Sequence, residues 1–508
     1  MRTAARTAAM MAVLTLGTKF LGFLREVFLA GFFGTSQITD AYVMAGAIPG
    51  ILFAGVFTSM SVSYMPLFSD IMAKEGRESG NRFTSQAITL SAGIASLCAV
   101  LGILFAEPLV SIFAPGFEAE TAALTAFYLR ITFSYIVFNA GAGLLESYLQ
   151  YNNTFLKPVL AGYLQSGFVL VAIVVSALLD YRLLALGLLI GTILRTLALV
   201  VFAVQRGFSW DASGKISEAA KTIVALAIPV FIGSTVNQVN TFVDKMLASG
   251  LAQGSVSALN YGYLLINMIT TLTITVVVTI IYPRLTRSRS ALEDEGFNRA
   301  STAGFAVALI ISTPCALGAM LYSEPVIRMV YERGAFDRAS TELTVGAFGF
   351  YALGLVFVAV NALLVKIFYA RQDMKTPVIA GAAAALTNIA LNLALVGPLQ
   401  QRGLALATSI AALVNTALLF VLLHQKHPEV RVVESRAKTA KILAAALASV
   451  AVSWPVYIGL GRLAGLGSVL SLGAAVAAAA SAYLLLLKLL KIEELSLLGD
   501  LVRRRESR

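Results

Sequence analysis

Apolar stretches of roughly 20 residues or more, long enough to cross a lipid bilayer, follow one another along nearly the whole chain. Fourteen are read, at 8–33, 41–68, 83–106, 121–149, 156–179, 183–205, 219–249, 256–283, 297–321, 341–370, 376–397, 403–424, 439–460 and 466–490. Of 508 residues, 58% are hydrophobic and 13% charged, and the mean hydropathy is +0.82, far more apolar surface than a soluble core could hide. In hydrocarbon every backbone polar group must find its partner within the protein, so segments of this length are expected to be helices. The expected fold class is an all-α polytopic membrane protein.

The stretches also repeat. At an offset of about 217 residues Pro66 answers to Pro283, Cys98 to Cys315, and Glu107-Pro108 to Glu324-Pro325. Lys157-Pro158 matches Thr376-Pro377, and the Ala185 segment matches the Ala405 segment, at offsets only two or three residues longer. Each copy holds six spans, an even number, so both enter the membrane in the same sense and are expected to be related by a parallel pseudo-two-fold around a central cavity. The expected divisions are an N-terminal lobe at 1–208, a C-terminal lobe at 209–427, and two additional helices with a basic tail at 428–508. Helices one, two, seven and eight are expected to line the cavity. A duplicated bundle of this kind is the signature of a transporter.

The 38 Lys and Arg against 27 Asp and Glu give a net charge of +11. Most of the cations fall at the N-terminus, in alternate loops such as the one holding Arg284, Arg287, Arg289 and Arg299, and in the C-terminal tail. The opposite loops are poor in them or acidic, as at Glu107, Glu118 and Glu120. This asymmetry places both termini in the cytoplasm and reads as topology, with some attraction to anionic membrane lipid, rather than as nucleic-acid binding. Arg2 and Arg6 precede an apolar run that continues through Lys19 and Arg25 without a small-residue cleavage site, so it is read as a retained span. Cys98 and Cys315 read as small packing residues in equivalent spans, not as a disulfide.

Ionisable groups inside spans cost at least about 2.5–3.5 kcal/mol on insertion scales and are the best functional pointers. Lys19, Arg25, Glu26 and Asp40 crowd the first two spans, and Glu146 lies late in the fourth. Arg130 and Arg195 read as structural. Cations beside a water-filled cleft suit a pyrophosphate or another anionic head group. The alternative is that Arg25 pairs with Glu26 or Asp40 and staples two helices while Lys19 snorkels to the interface. In the second lobe Asp244 lies near Asn237, Asn240 and Thr241, and Asn388 and Asn392 share a helix face four residues apart, with Thr408 on the next span. A carboxylate, amides and a hydroxyl suit a hard monovalent cation, and equally suit an interhelical hydrogen-bond cluster with Asp244 paired to Lys245.

No G-x-x-x-x-G-K-[ST] loop occurs, which argues against ATP hydrolysis through a Walker motif. His424 and His427 fall in a loop without nearby Cys and make a poor metal site, and Glu293-Asp294-Glu295 reads as a solvated acidic run. An enzyme reading, such as a membrane glycosyltransferase, finds no catalytic carboxylate or histidine constellation at either interface.

The stretches Leu21 to Glu26, Gly34 to Asp40, Gly254 to Ser257, Tyr331 to Phe336, Phe368 to Pro377 and Gly403 to Ser409, in this order and spacing, resemble the MurJ/MviN family of the multidrug/oligosaccharidyl-lipid/polysaccharide exporter superfamily. The resemblance implies a flippase, not an enzyme. Its implied cargo is lipid II, the undecaprenyl-pyrophosphate-linked peptidoglycan precursor, moved from the inner to the outer leaflet of a bacterial cytoplasmic membrane. It also implies that Lys19, Arg25 and Asp40 are substrate-binding cavity positions, with Glu26 and Glu146 in support. A sodium site at Asp244, Asn388, Asn392, Thr408 and the Leu404 carbonyl is implied by the same resemblance, with no other cofactor. Two arginines common in the family are replaced in Pro49 to Ala54 and in Tyr261 to Leu264. Another polyprenyl-linked oligosaccharide is the alternative cargo, and a drug or cation antiporter, which needs an acidic cavity, the more distant one.

Overall fold

The computed structural model describes residues 2–211, 213, 216–290, 294–463 and 468–497, and among them it contains helices and no strand. The helices are α1 (Arg2–Phe33), α2 (Gln37–Leu104), α3 (Ala106–Phe113), α4 (Ala119–Tyr151), α5 (Leu156–Leu178), α6 (Leu184–Val204), α7 (Glu218–Ser249), α8 (Ser255–Ser290), α9 (Asp294–Leu321), α10 (Ser323–Tyr331), α11 (Arg338–Ala370), α12 (Lys375–Leu399), α13 (Gln401–Lys426), α14 (Arg436–Leu463) and α15 (Ser468–Leu489). The second and third expected spans run on as one helix, α2, interrupted at Gly76, whose φ of 83° and ψ of −171° bend the backbone out of helical geometry. Eleven helices among the described residues are long and apolar enough to cross a membrane. The stretches expected at 8–33, 41–68 and 219–249 fall on α1, the first part of α2 and α7, where several side chains lie outside the described set, so fourteen stays a sequence reading.

Two compact units are formed, Met1–Ser257 with Arg333–Phe336, and Ala258–Glu332 with Asp337–Arg508. The border lies beyond the sequence boundary at 208 because α7 packs along α2 and so belongs to the first unit. In that unit α2 also lies against α4, α4 against α6, α6 against α5, and α5 against α1. Tyr64, Phe68, Phe83 and Tyr148 stack at its centre, with the Tyr64 and Phe83 rings 5.6 Å apart. In the second unit α11 lies against α9 and α13, α13 against α12, and α14 against α9 and α15.

The duplication recurs in the hydrogen bonds. Thr196 Oγ1 donates to the Phe138 carbonyl at 3.2 Å, and one repeat further on Thr416 Oγ1 donates to the Phe357 carbonyl at 2.9 Å. Asn81 Nδ2 donates to the Gly207 carbonyl, as Asn298 Nδ2 does to the Glu429 carbonyl. Phe105 and Tyr322 end their helices with φ of −101° and −100° and ψ of 23° in both cases. The Phe368 to Pro377 stretch owes its form to capping: Asp373 accepts from the amides of Lys375 and Thr376 at the start of α12. The Thr376 hydroxyl and amide and the Lys426 ammonium hold that loop carboxyl down at about 2.

Candidate functional site

α1 carries Arg25 in its apolar second half, one residue before Glu26. Arg25 Nη2 donates to Glu26 Oε1 at 2.6 Å and Nε donates to the same oxygen at 3.2 Å. Neighbouring residues on a helix point about 100° apart, so the long arginine stem bends back along its own helix to reach the carboxylate. The bond stays within α1 and ties it to no second helix. Glu26 is buried, whereas 30% of the Arg25 side chain stays exposed, and Nη1 has no acceptor among the described residues. Glu26 also acts electrostatically on Lys245 of α7, and Tyr42 of α2 on Arg25. Lys245 thus lies within electrostatic reach of the Arg25–Glu26 pair in the first unit. Lys245 was visible in the sequence only as a partner for Asp244, because adjacency in the chain is legible and packing of α7 against α2 is not. Lys19, lower on α1, is exposed and makes no ion pair among the described residues.

Asp40 lies in the first turn of α2, after Ser36 caps that helix at the Thr39 amide. Its side chain turns away from its own helix. Oδ2 accepts the Gly254 amide at 2.7 Å and Oδ1 accepts the Ser257 amide at 2.7 Å. These are the open N–H groups at the start of α8, where a carboxylate satisfies unpaired donors and meets the positive end of the helix dipole. Asp40 is 3% exposed, so it works here as the cap of another helix and presents no open face to a ligand.

The same end of this unit is closely knit. Gly34, at φ +60°, lets the Ala335 carbonyl come within 2.4 Å of where a Cβ would stand, and the Ala335 amide donates to the Gly31 carbonyl at 2.8 Å. Gly254, at φ +88°, brings its backbone equally close to the Thr35 carbonyl. The Gly116 amide donates to Ser249 Oγ, and the rings of Phe113 and Phe242 lie 4.4 Å apart. The stretches Gly254 to Ser257 and Tyr331 to Phe336 could be picked out in the sequence, but not that Gly254, Arg333 and Ala335 meet the turn between α1 and α2.

Glu146 of α4 pairs with Arg195 of α6 at 2.5 Å, and Arg195 also donates to Asn139 Oδ1. Arg130 pairs with Glu107 at 2.8 Å. In the second unit, Asn388 and Asn392 of α12 are fully buried and face α13. Asn392 Nδ2 donates to Asn388 Oδ1 at 2.8 Å, Asn388 Nδ2 to Thr408 Oγ1 at 3.3 Å, and Thr408 Oγ1 to the Leu404 carbonyl at 3.1 Å. Four of the five expected cation ligands thus come together, and their oxygens are of the hard type that alkali cations favour. Asp244, the fifth, belongs to the other compact unit.

Charged groups held within bilayer-length helices, on a duplicated helical scaffold, define a polytopic membrane transporter. The sequence model of the family described as lipid II flippase MurJ matches residues 29–474, and the chain belongs to that family. It is similar to the lipid II flippase MurJ of Burkholderia cenocepacia, with 27% identity over 429 residues covering 81% of this chain and 82% of the relative. A probable lipid II flippase MurJ of Rickettsia prowazekii is 26% identical over 429 residues, 83% of this chain and 84% of the relative. A solved structure described as lipid II flippase MurJ in an inward closed conformation superposes with a TM-score of 0.82 at 25% identity, over 95% of this chain and 98% of that one. An inward-facing multidrug resistance transporter of the MATE family shares the fold alone, with a TM-score of 0.65 at 13% identity over 80% of this chain and 94% of that one.

Proposed function

We infer that this chain is a flippase that moves lipid II from the cytoplasmic to the outer leaflet of a bacterial cytoplasmic membrane, with both termini in the cytoplasm. The family match over residues 29–474 carries this reading. The chemistry of the first unit supports it: Arg25 keeps a donor edge uncommitted beside a buried acid, and Lys19 stands exposed on the same helix. Guanidinium and ammonium groups of this kind match the diphosphate of a polyprenyl-linked cargo. Arg25 and Lys19 are the head-group ligands in this proposal, Glu26 orients Arg25, and Asp40 acts through the start of α8.

A monovalent cation, sodium in the first instance, is proposed at Asn388, Asn392, Thr408 and the Leu404 carbonyl, whose oxygens come together within the second unit. Such an ion would bias the cycle only through unequal affinity for its states. Expression in a strain depleted of its own lipid II flippase tests the function: growth restored by wild type and lost with Arg25→Ala at equal abundance supports it. Failure of the wild type at normal membrane levels overturns it.

A further inference from the structure

At the end of the second unit where α11 and α13 begin, two adjoining clefts of about 510 and 540 Å³ share Glu342 and Arg402 as a common wall. Each is the size of a small-molecule site. The first reaches Glu324 of α10 and Gly346, Gly349 and Phe350 of α11, and the second reaches Gln401 at the start of α13. With both termini cytoplasmic, as in the proposed topology, this end faces outward. Arg338 and Glu342 on its rim pair with each other at 3.2 Å.

The internal repeat explains why one side of the space is open. In the first repeat Glu107 is held by Arg130 at 2.8 Å. Glu107 answers to Glu324, and α4 and α11, each 33 residues long, place Gly349 where the first repeat has Arg130. Glu324 keeps the carboxylate and has no ion pair or hydrogen bond among the described residues. A Cβ added at Gly349 would meet nothing within 4 Å. The second repeat has thus kept the acid and lost its cation.

On the other side, Arg402 lies across the bare backbone of Gly346, where a Cβ would stand 2.7 Å from its Nε. Its guanidinium meets no acid among the described residues. Gln401, beside it, is 4% exposed, and its amide oxygen is buried with no donor among the described residues. A buried acceptor left in that state is costly, and a ligand N–H in the second cleft is the partner it lacks. An acid without its cation, a guanidinium without its acid and an amide without its donor complement a ligand that carries an ammonium, a carboxylate and a peptide bond. An aminophospholipid head group can meet the two charges, but its phosphate has no N–H for Gln401. We propose that this cleft holds the peptide of the cargo head group on the outer face after translocation, its ammonium on Glu324, its carboxylate on Arg402 and a peptide N–H on Gln401. The source of the peptide rests on the flippase reading, and its chemistry on the cleft alone.

Titration calorimetry of the full chain in nanodiscs with an N-acetylated synthetic stem peptide of peptidoglycan, carrying a lysine ammonium and a free C-terminal carboxylate, tests this without transport. Wild type is expected to bind it, and acetylating the lysine or amidating the C-terminus should each weaken binding about tenfold, the size of one charge-assisted contact. Arg402→Gln should weaken binding of the free acid by the same factor and leave the affinity for the amide unchanged, a coupling that misfolding would not produce. Gly349→Arg rebuilds the first repeat's pair inside the cleft and should abolish binding, whereas Gly349→Ala, which leaves the space open, should not. No binding at millimolar peptide, equal affinity for the acid and the amide, a Gly349→Arg protein of wild-type melting midpoint that still binds, or equally tight binding of glycerophosphoethanolamine would each overturn the proposal. Growth of the flippase-depleted strain is read beside it. A chain that complements without binding loses this site and keeps its function, whereas one that binds without complementing keeps the site and loses the flippase reading.

Discussion

Asp40 and Ser257, 217 residues apart in the chain, are joined by a 2.7 Å hydrogen bond from the Ser257 amide to the Asp40 carboxylate. The second carboxylate oxygen takes the Gly254 amide at the same distance. A charge that the sequence offers as a ligand for cargo is thus engaged as the cap of α8, and its removal should be felt first as lost stability. Asp40→Ala is expected to cost about 2 kcal/mol, the size of a lost cap with charge-assisted bonds, while Asp40→Asn keeps one acceptor and costs less. Thermal unfolding of the purified protein without lipid II measures this. An unchanged midpoint for Asp40→Ala would show that the cap contributes nothing.

Arg25 and Glu26 should separate by phenotype. Arg25→Ala removes the half-exposed cation and is expected to abolish complementation with abundance near normal. Glu26→Ala leaves Arg25 and Lys245 without their buried acid and is expected to lower abundance as well, since an unpaired charge in the membrane is expensive. Quantitative immunoblots of membranes beside growth curves check both. Low abundance of Arg25→Ala would assign the arginine to folding.

Much of the helical layout was legible because its cause is local. Bilayer thickness fixes span length, and the helix limits at 119–151, 338–370 and 375–399 lie within a few residues of the apolar stretches read for them. The extension of the helix through Lys74 and Glu75 up to the break at Gly76 was not legible, because a helix that outruns the membrane continues on polar residues whose hydropathy reads as a loop. The site was half legible. Asn388 and Asn392 declared their common face by spacing alone, whereas Lys245 comes under the charge of Glu26, and Asp40 meets Gly254, only through packing between helices distant in the chain.

The pair between Glu146 and Arg195 should behave as a unit. Replacing either with Leu strands the other charge and is expected to cost on the order of 2 kcal/mol. That lies below the figure for a fully buried pair, because 26% and 20% of the two side chains remain exposed. The double replacement should recover most of the loss, as a double-mutant cycle on thermal stability would reveal. Additive losses in the double variant would mean that the two residues do not couple.

Sodium should stabilise the purified protein through the α12 and α13 oxygens. Melting in sodium against an equal concentration of choline is expected to give an upward shift for wild type that Asn388→Ala and Thr408→Ala each remove. Equal shifts in all three proteins would exclude this site and leave the membrane potential, acting on Lys19 and Arg25, as the driving force.

The most direct measurement is of lipid II itself. In a strain whose only flippase is this chain, lipid II accessible from outside the cytoplasmic membrane is quantified with an impermeant enzyme that cleaves its head group. Wild type should sustain an external pool, and depletion or Arg25→Ala should empty that pool while total lipid II rises. An external lipid II pool unchanged on depletion, with a different polyprenyl-linked glycan accumulating instead, would contradict lipid II as the cargo.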